Sequence, residues 1–432
     1  MSSFRVDFHI ETDFYSANIS KTRQLCYDPF MIPHALALLS SEMEHELRTN
    51  ILPFWPRFVD RRKGGFYGSV GNDGSVEEDA PKGVVMTARH LWAYSAASIH
   101  LRDPSHLETA EIAYRFLTER VYDAENKGFF WLVARNGTPL DPCKRVYGQA
   151  YAVYALSEYA RARGQRRALD IAMETFVLLE RAARDREHGG YYEAVARDWS
   201  GPQTAALSTL DMDCPKSMNT NLHVLEAFTS LLRASGDPAV REALRDLVEI
   251  HIDRVMTSPS HVGLFFENDW TSLEDAVSFG HDIEASWLLA EAASVAWEGP
   301  LPERTERAVL EIASGTAEAL TENGGSLPNE RRGGHFDADR VWWVQAEAIV
   351  GMVNAWQISG DRRYLDLARG VWEFVKGSII DREHGEWLWG VHEDGRRMEG
   401  REKGGPWKAS YHNSRACMEI MNRAAAGVAR AH

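Results

Sequence analysis

Three histidines, His223, His281 and His412, stand near the starts of three well-separated stretches of helical spacing, each with polar companions about one turn away. Asn219 lies four residues before His223, Glu284 three after His281, Glu347 four after Trp343, and Arg415 three after His412, so each pair shares a helix face. Arg89, and then Tyr147 with Gln149, occupy the corresponding places in two earlier stretches, and Trp407 precedes the last histidine in KGGPWKASYHNSR. Imidazole both accepts and donates a proton near neutral pH, so two such groups can act as a paired acid and base. Three imidazoles, an arginine and several carboxylates within aromatic walls suit proton transfer on a neutral polyol. Inverting a carbon beside a carbonyl requires removal of its hydrogen, stabilisation of the enediolate, and return of a proton to the other face. Arg89 is the candidate for holding the developing oxyanion, a role worth a few kcal/mol where comparable donors have been removed. Glu284 is the candidate for orienting His281 and setting its tautomer.

Each residue taken singly has a structural reading as well, since a lone His or Arg on a helix is usually a hydrogen-bonded core or surface group. Most of the 14 tryptophans must likewise be core. What favours function is recurrence at one phase of successive units. A metal site is not expected, because HxxxH spacing is absent and HDIE reverses the ExxH order of helical di-iron sites. A pair of glycosidase carboxylates is an alternative. It leaves three histidines without a task.

The elements that position these residues follow from an internal repeat. VDRRKGGFYG from Val59, YDAENKGFFW from Tyr122, RDREHGGYYE from Arg184 and IDREHGEWLWG from Ile380 each run from an acidic turn through glycine to aromatics. VGLFFEND from Val262 and NGGSLPNE from Asn323 are weaker copies. The marker glycines Gly65, Gly128, Gly190, Gly263, Gly325 and Gly385 are separated by 63, 62, 73, 62 and 60 residues. Between markers lie two apolar stretches of helical period, such as Val84 to Leu101 followed by Ser105 to Tyr122. From Met31–Asn50 to Lys408–Ala429 this predicts about twelve helices in six hairpins. An open solenoid is the structural alternative, but six units of this length are what a closed toroid needs, so the expected fold is an all-α (α/α)6 barrel. Residues 1–30 read as an irregular arm, and residues 31–432 as one catalytic barrel domain. The second helix of each hairpin is ordinarily amphipathic and so outer, while the first carries the polar candidates and faces the cavity.

Composition removes other classes. The chain of 432 residues is 44% hydrophobic and 26% charged, enough apolar material for a large core. A net charge of −15 without basic blocks argues against nucleic acid. Cys26, Cys143, Cys214 and Cys417 lie far apart without CxxC spacing, as expected of reduced thiols. The start lacks a signal-peptide core and no apolar run reaches spanning length, so a cytoplasmic protein without membrane contact, monomeric or a small homo-oligomer, is expected.

KSMNTNLHVLEAF from Lys216, FGHDIEASWLLAEAA from Phe279, DRVWWVQAEAIVGMVNAWQ from Asp339 and KGGPWKASYHNSRACMEI from Lys403 closely resemble the cellobiose 2-epimerases. ILPFWPRFVD near residue 51 and TARHLWAYSAA from Thr87 add to the likeness, which runs from about residue 31 to 425. The wider family includes N-acylglucosamine 2-epimerases, mannose 2-epimerases and mannose isomerases, (α/α)6 barrels described as working without a metal. The resemblance implies a cofactor-free 2-epimerase of a mono- or disaccharide, with His281 and His412 as the acid/base pair at C2. It assigns His223 to ring opening or enediolate stabilisation and Arg89 to the oxygens at C1 and C2. Tyr147, Asn219, Glu284 and Glu347 match positions that bind the sugar or orient the histidines, and Trp343 and Trp407 match aromatics that hold the sugar units. Aldose–ketose isomerisation on the same residues remains an alternative, as does a non-catalytic carbohydrate-binding protein. Two departures stand out. Asn221 replaces a usual histidine in MNTNLH, where helical phase turns it away from the His223 face, and GSLPNERRGGHF differs from the family's wording.

Overall fold

The computed structural model describes residues 31–207 and 211–430, and the expected arm of residues 1–30 lies outside them. Twelve long helices follow one another: α1 Met31–Glu46, α2 Val84–His100, α3 His106–Phe116, α4 Val146–Arg163, α5 Arg166–Leu178, α6 Met218–Ser235, α7 Pro238–Ile250, α8 Phe279–Trp297, α9 Glu303–Glu322, α10 Trp342–Ser359, α11 Arg362–Phe374 and α12 His412–Arg430. The even-numbered helices form the inner ring. Each packs on the next, and α12 returns to pack on α2, which closes the (α/α)6 barrel.

The two rings differ in sequence for a physical reason. In α2 every residue from Val84 to Ala97 is buried, because both its faces meet other helices. In α7 burial falls on Val240, Ala243, Leu244, Leu247 and Val248, the single stripe of a helix with one face in water. Five of the six outer helices end in a five-residue π turn, and after Leu117–Val121, Leu179–Ala183 and Val375–Ile379 the chain turns extended directly into the acidic motif. One expected boundary is corrected: the last helix starts at His412 rather than Lys408. Lys408 is buried in the preceding loop, where its Nζ donates to Glu386 and to the Lys403 carbonyl and so ties that stretch to the loop ahead of the helix. No helix among the described residues is long and apolar enough to cross a membrane.

The repeated motif is a structural lock. Asp60, Asp123, Asp185 and Asp381 each accept two backbone N–H groups of their own turn on one oxygen and a buried lysine, Lys82, Lys144, Lys216 or Lys403, on the other. At Gly128 and Gly190 the backbone has φ of +63° and +73°. A Cβ there would also run into Trp199 and Gln149, or into Trp270 and Asn221. The residue after each glycine is then gripped by an inner-helix amide. Gln149 receives the Phe129 N–H at 2.8 Å and donates to its carbonyl at 2.8 Å, and Asn221 does the same for Tyr191 at 2.8 and 3.1 Å. Asn221 therefore anchors a turn and faces away from His223, as its helical phase predicts. The unit at Gly263 lacks the positive φ and uses Asp282, which accepts the Val262 N–H, as its clamp.

Lys216 donates to Asp185 at 2.6 Å and to the carbonyls of Gly189 and Asn268. Lys216→Met leaves a buried carboxylate without its counter-charge, and a loss of about 3–5 kcal/mol in urea unfolding is expected. A loss below about 1 kcal/mol would show the lock to be dispensable.

Candidate active site

The site is built by one step of the repeat. Two residues beyond the clamps Gln149, Asn221, Asp282 and Gln345, the last of which grips Leu327, come Tyr151, His223, Glu284 and Glu347; Arg415 stands two beyond the equivalent Asn413, which donates to the Glu386 carboxylate, and Arg89 takes the same place on α2. All six are buried. One residue before the clamps of α8 and α12 stand His281 and His412, at equivalent places on two helices that flank α10. Trp343 of α10 lies between them, its ring centroid 4.8 Å from that of His281 and 5.6 Å from that of His412. Asn219, His281, Trp343 and Trp407 are half-buried, so they border open space while the six-residue layer beneath them is closed.

Arg415 is the hub of the floor. It donates to Glu226, to Glu284 at 2.5 Å and to Glu347 at 2.7 Å. Glu226 also accepts from the Tyr411 hydroxyl at 2.5 Å and pairs with His223 Nδ1 at 2.8 Å, and Glu347 accepts the Trp287 Nε1–H at 2.9 Å and pairs with His412 Nδ1 at 2.7 Å. One positive charge is thus shared by three carboxylates. Burial raises the Glu226 carboxyl, but Arg415 and His223 outweigh it and hold the group at about 2. Burial and the neighbouring Glu347 push Glu284 up to about 7. Burial likewise raises Glu347, against the pull of Arg415.

His281 and His412 are kept neutral. Burial, then His223 and Arg332, lower His281 to about 3, and burial, then Arg89 and Arg415, hold His412 well below its usual value. A carboxylate can only accept, so Glu347 fixes the proton of His412 on Nδ1 and leaves Nε2 with its lone pair. Glu226 does the same for His223, whose Nε2 faces the Tyr151 hydroxyl at 3.4 Å. The expected contact between Glu284 and His281 is not made: His281 Nδ1 lies 2.8 Å from Ser278 Oγ, and Glu284 is drawn instead to Arg415. The buried guanidinium is a stronger partner than a neutral imidazole, and Ser278 sits on the strand that feeds directly into α8.

Arg89 is fixed by Tyr151 at 2.8 Å, by Tyr147 at 3.3 Å and by the Trp407 carbonyl. Its Nε is buried with no hydrogen-bond partner among the described residues. Trp407 in turn meets Tyr147 and Trp131, with ring centroids 5.9 and 6.1 Å apart. All ten sequence candidates therefore fall in one neighbourhood. Tyr151, Glu226, Ser278 and Tyr411 were not singled out, and Arg415 was noted without a role. Glu226, three residues after His223, had the same spacing signal that drew attention to Glu284. The Tyr151 and Tyr411 hydroxyls and Arg415 act through partners on other helices, which spacing along one helix does not reveal, whereas Ser278 lies three residues before His281 at the start of the same helix. Glu284, Glu347 and His412 could each offer a metal donor atom, all within 4.8 Å, but Arg415 already supplies the positive charge to both carboxylates.

Glu347→Gln replaces the carboxylate that sets the His412 tautomer with a neutral amide whose NH2 group can impose the other one. A fall in kcat of about 10–100-fold with little change in KM is expected in steady-state kinetics. An unchanged kcat would detach Glu347 from the chemistry.

The N-acylglucosamine 2-epimerase (GlcNAc 2-epimerase) family profile matches residues 65–416. The chain is similar to the cellobiose 2-epimerase of Bacteroides fragilis, 41% identical over 387 residues that make up 89% of this chain and 99% of that one. It is 37% identical to the cellobiose 2-epimerase of Dictyoglomus turgidum over 390 residues, 90% and 99% of the two chains. The solved structure of cellobiose 2-epimerase from Spirochaeta thermophila superposes with a TM-score of 0.88 at 49% identity, covering 91% of this chain and 98% of that one.

Proposed function

Because the chain belongs to the N-acylglucosamine 2-epimerase family, we propose that it is a sugar 2-epimerase that inverts C2 of a reducing-end aldose through a cis-enediolate. The substrates are cellobiose, related disaccharides or free mannose. The observation that carries this reading is the pair His281 and His412, at equivalent places on α8 and α12 and on either side of Trp343. One neutral imidazole takes the C2 hydrogen; the other, neutral in the free site, takes up a proton as substrate binds and returns it to the opposite face, and the pair ends with its roles exchanged. Glu347 stabilises the charge on His412 when it forms. Arg89 meets the enediolate oxygens, and His223, polarised by Glu226, assists ring opening or holds the enediolate. Tyr147 and Asn219 hydrogen-bond the sugar, Trp343 and Trp407 hold its rings, and Glu284 acts through Arg415.

Proton NMR in deuterated water containing a chelator, with cellobiose and separately with mannose, tests the reading. Deuterium at C2 together with the new epimer is expected. A ketose product would move the returned proton to C1 and make the enzyme an isomerase. Free glucose from cellobiose, or unchanged sugars, would overturn the proposal.

A further inference from the structure

The clamps of the inner ring are of two kinds. Gln149, Asn221 and Gln345 are amides, and each accepts the N–H and donates to the carbonyl of one turn residue, Phe129, Tyr191 or Leu327. Such a clamp is neutral and is completed by backbone alone. The two helices that carry His281 and His412 depart from it. On α8 the residue after His281 is the buried Asp282, which accepts the Val262 N–H on one oxygen and pairs with His261 Nδ1 on the other, both at 2.8 Å. On α12 the residue after His412 is Asn413, which donates at 2.6 Å to the buried Glu386 carboxylate, itself held by Lys408 at 3.1 Å and by the Trp55 indole at 3.0 Å. Both helices are thus fastened through a carboxylate, directly beside the imidazole that each presents.

A carboxylate cannot donate, so Asp282 fixes the His261 proton on Nδ1 and takes from that ring the second bond that the amides make to a carbonyl. Hydrogen bonds to an ionised acceptor are roughly twice as strong as neutral ones. The charge of Asp282 also falls in the first turn of α8, where a helix N-terminus favours it. Burial raises the Asp282 carboxyl, and His261 is the side chain that pulls it back. His261 is only part-buried, with 28% of its side chain exposed, and its strand His261–Val262 pairs with Met256–Ser258, so the anchor belongs to a hairpin. Ser278 holds the His281 ring at 2.8 Å, and Asp282 holds the backbone from which that ring hangs.

We propose that His261 is a positioning residue for the acid–base chemistry: through the Asp282 carboxylate it sets the first turn of α8 and, with it, the place of the His281 imidazole at C2. The proposal rests on the epimerase reading. Proton transfer is sensitive to such placement, and a shift of about 1 Å can cost about 10²-fold. His412 hangs from α12, which Glu386 steadies independently, so the effect of His261 is confined to one face of the substrate carbon.

The test is the rate at which the C2 hydrogen exchanges with deuterated water, followed by proton NMR separately from each epimer of the sugar that the wild type inverts. The wild type, His281→Ala, His261→Phe and His261→Asn are compared. Phenylalanine keeps the ring without a donor, whereas asparagine places an amide N–H where Nδ1–H stood. His261→Phe is expected to slow exchange about tenfold or more from the epimer whose exchange His281→Ala abolishes, and to leave the other epimer within about twofold of wild type. His261→Asn is expected to restore both. An equal loss from both epimers is what a general weakening of the fold would give, and would overturn the proposal, as would unchanged exchange from both or a loss confined to the other epimer. Failure of His261→Asn to recover would overturn the route through Asp282. A His281→Ala variant that spares neither epimer removes the two-imidazole reading and this inference with it. A wild type that inverts no sugar removes the epimerase reading, whereas a working wild type beside an unaffected His261→Phe removes the inference alone. Should His261→Phe fail to fold, as judged by circular dichroism, His261→Leu carries the same comparison.

Discussion

His281→Ala and His412→Ala are each expected to lose C2 inversion by about 10²–10⁴-fold in kcat, the range over which positioned acid–base groups act. Inversion needs both imidazoles, whereas washout of the C2 hydrogen from one epimer needs only the imidazole on its own face. The two variants should therefore differ in which epimer still exchanges hydrogen with solvent: one retains slow exchange from the glucose configuration, the other from the mannose configuration. The fold should survive both changes. His281 is half-buried at the cavity, and removing His412 leaves Glu347 with Arg415 and Trp287 as partners. Full turnover in either variant, with native circular dichroism, would sink the two-imidazole assignment. Loss of exchange from both epimers in both variants would point to one imidazole acting on both faces with the other as its support.

Arg415→Met is expected to have the largest effect on stability. The guanidinium is buried and bonded to Glu226, Glu284 and Glu347, so its removal strands three carboxylates around one cavity floor. Breaking one buried pair this way costs about 3–5 kcal/mol, and here three contacts go together. The loss should depend on pH in a definite sense. Glu284 is already pushed up to about 7 from an ordinary 4.5, so the folded state binds the extra proton between those limits. The stability this group contributes is full below about 4.5 and is lost as pH rises through about 7. Without Arg415 both Glu284 and Glu347 shift further upward, and the variant should be more stable near pH 5 than near pH 8. Urea unfolding at the two pH values measures this. A variant equally stable at both, or as stable as the wild type, would show that the cluster is compensated in some other way.

The helical hairpins were legible because a helix buried on all sides and a helix with one wet face carry different periodicities, as α2 and α7 illustrate. The marker glycines were legible because the turn at Gly190 tolerates no side chain. Their weakest copy, at Gly263, is also the one whose backbone departs from the others. The start of α12 was misjudged because Lys408 has helix-compatible neighbours in sequence but is tied to Glu386, 22 residues away.

The sequence alone determined the six-unit barrel, the inner and outer rings, and the set of residue types gathered at the starts of the inner helices. Spacing and composition carry these, since they follow from local periodicity repeated six times. Only the tertiary structure decided the long-range pairings within the site: Glu347, 65 residues away, supports His412, and Glu284 answers to Arg415 from 131 residues away, which leaves the nearby Ser278 to support His281. A side chain three residues from a histidine shares its face. Which partner it takes depends on the competing charges that other helices bring to the same buried volume, and those meet only when the ring is closed.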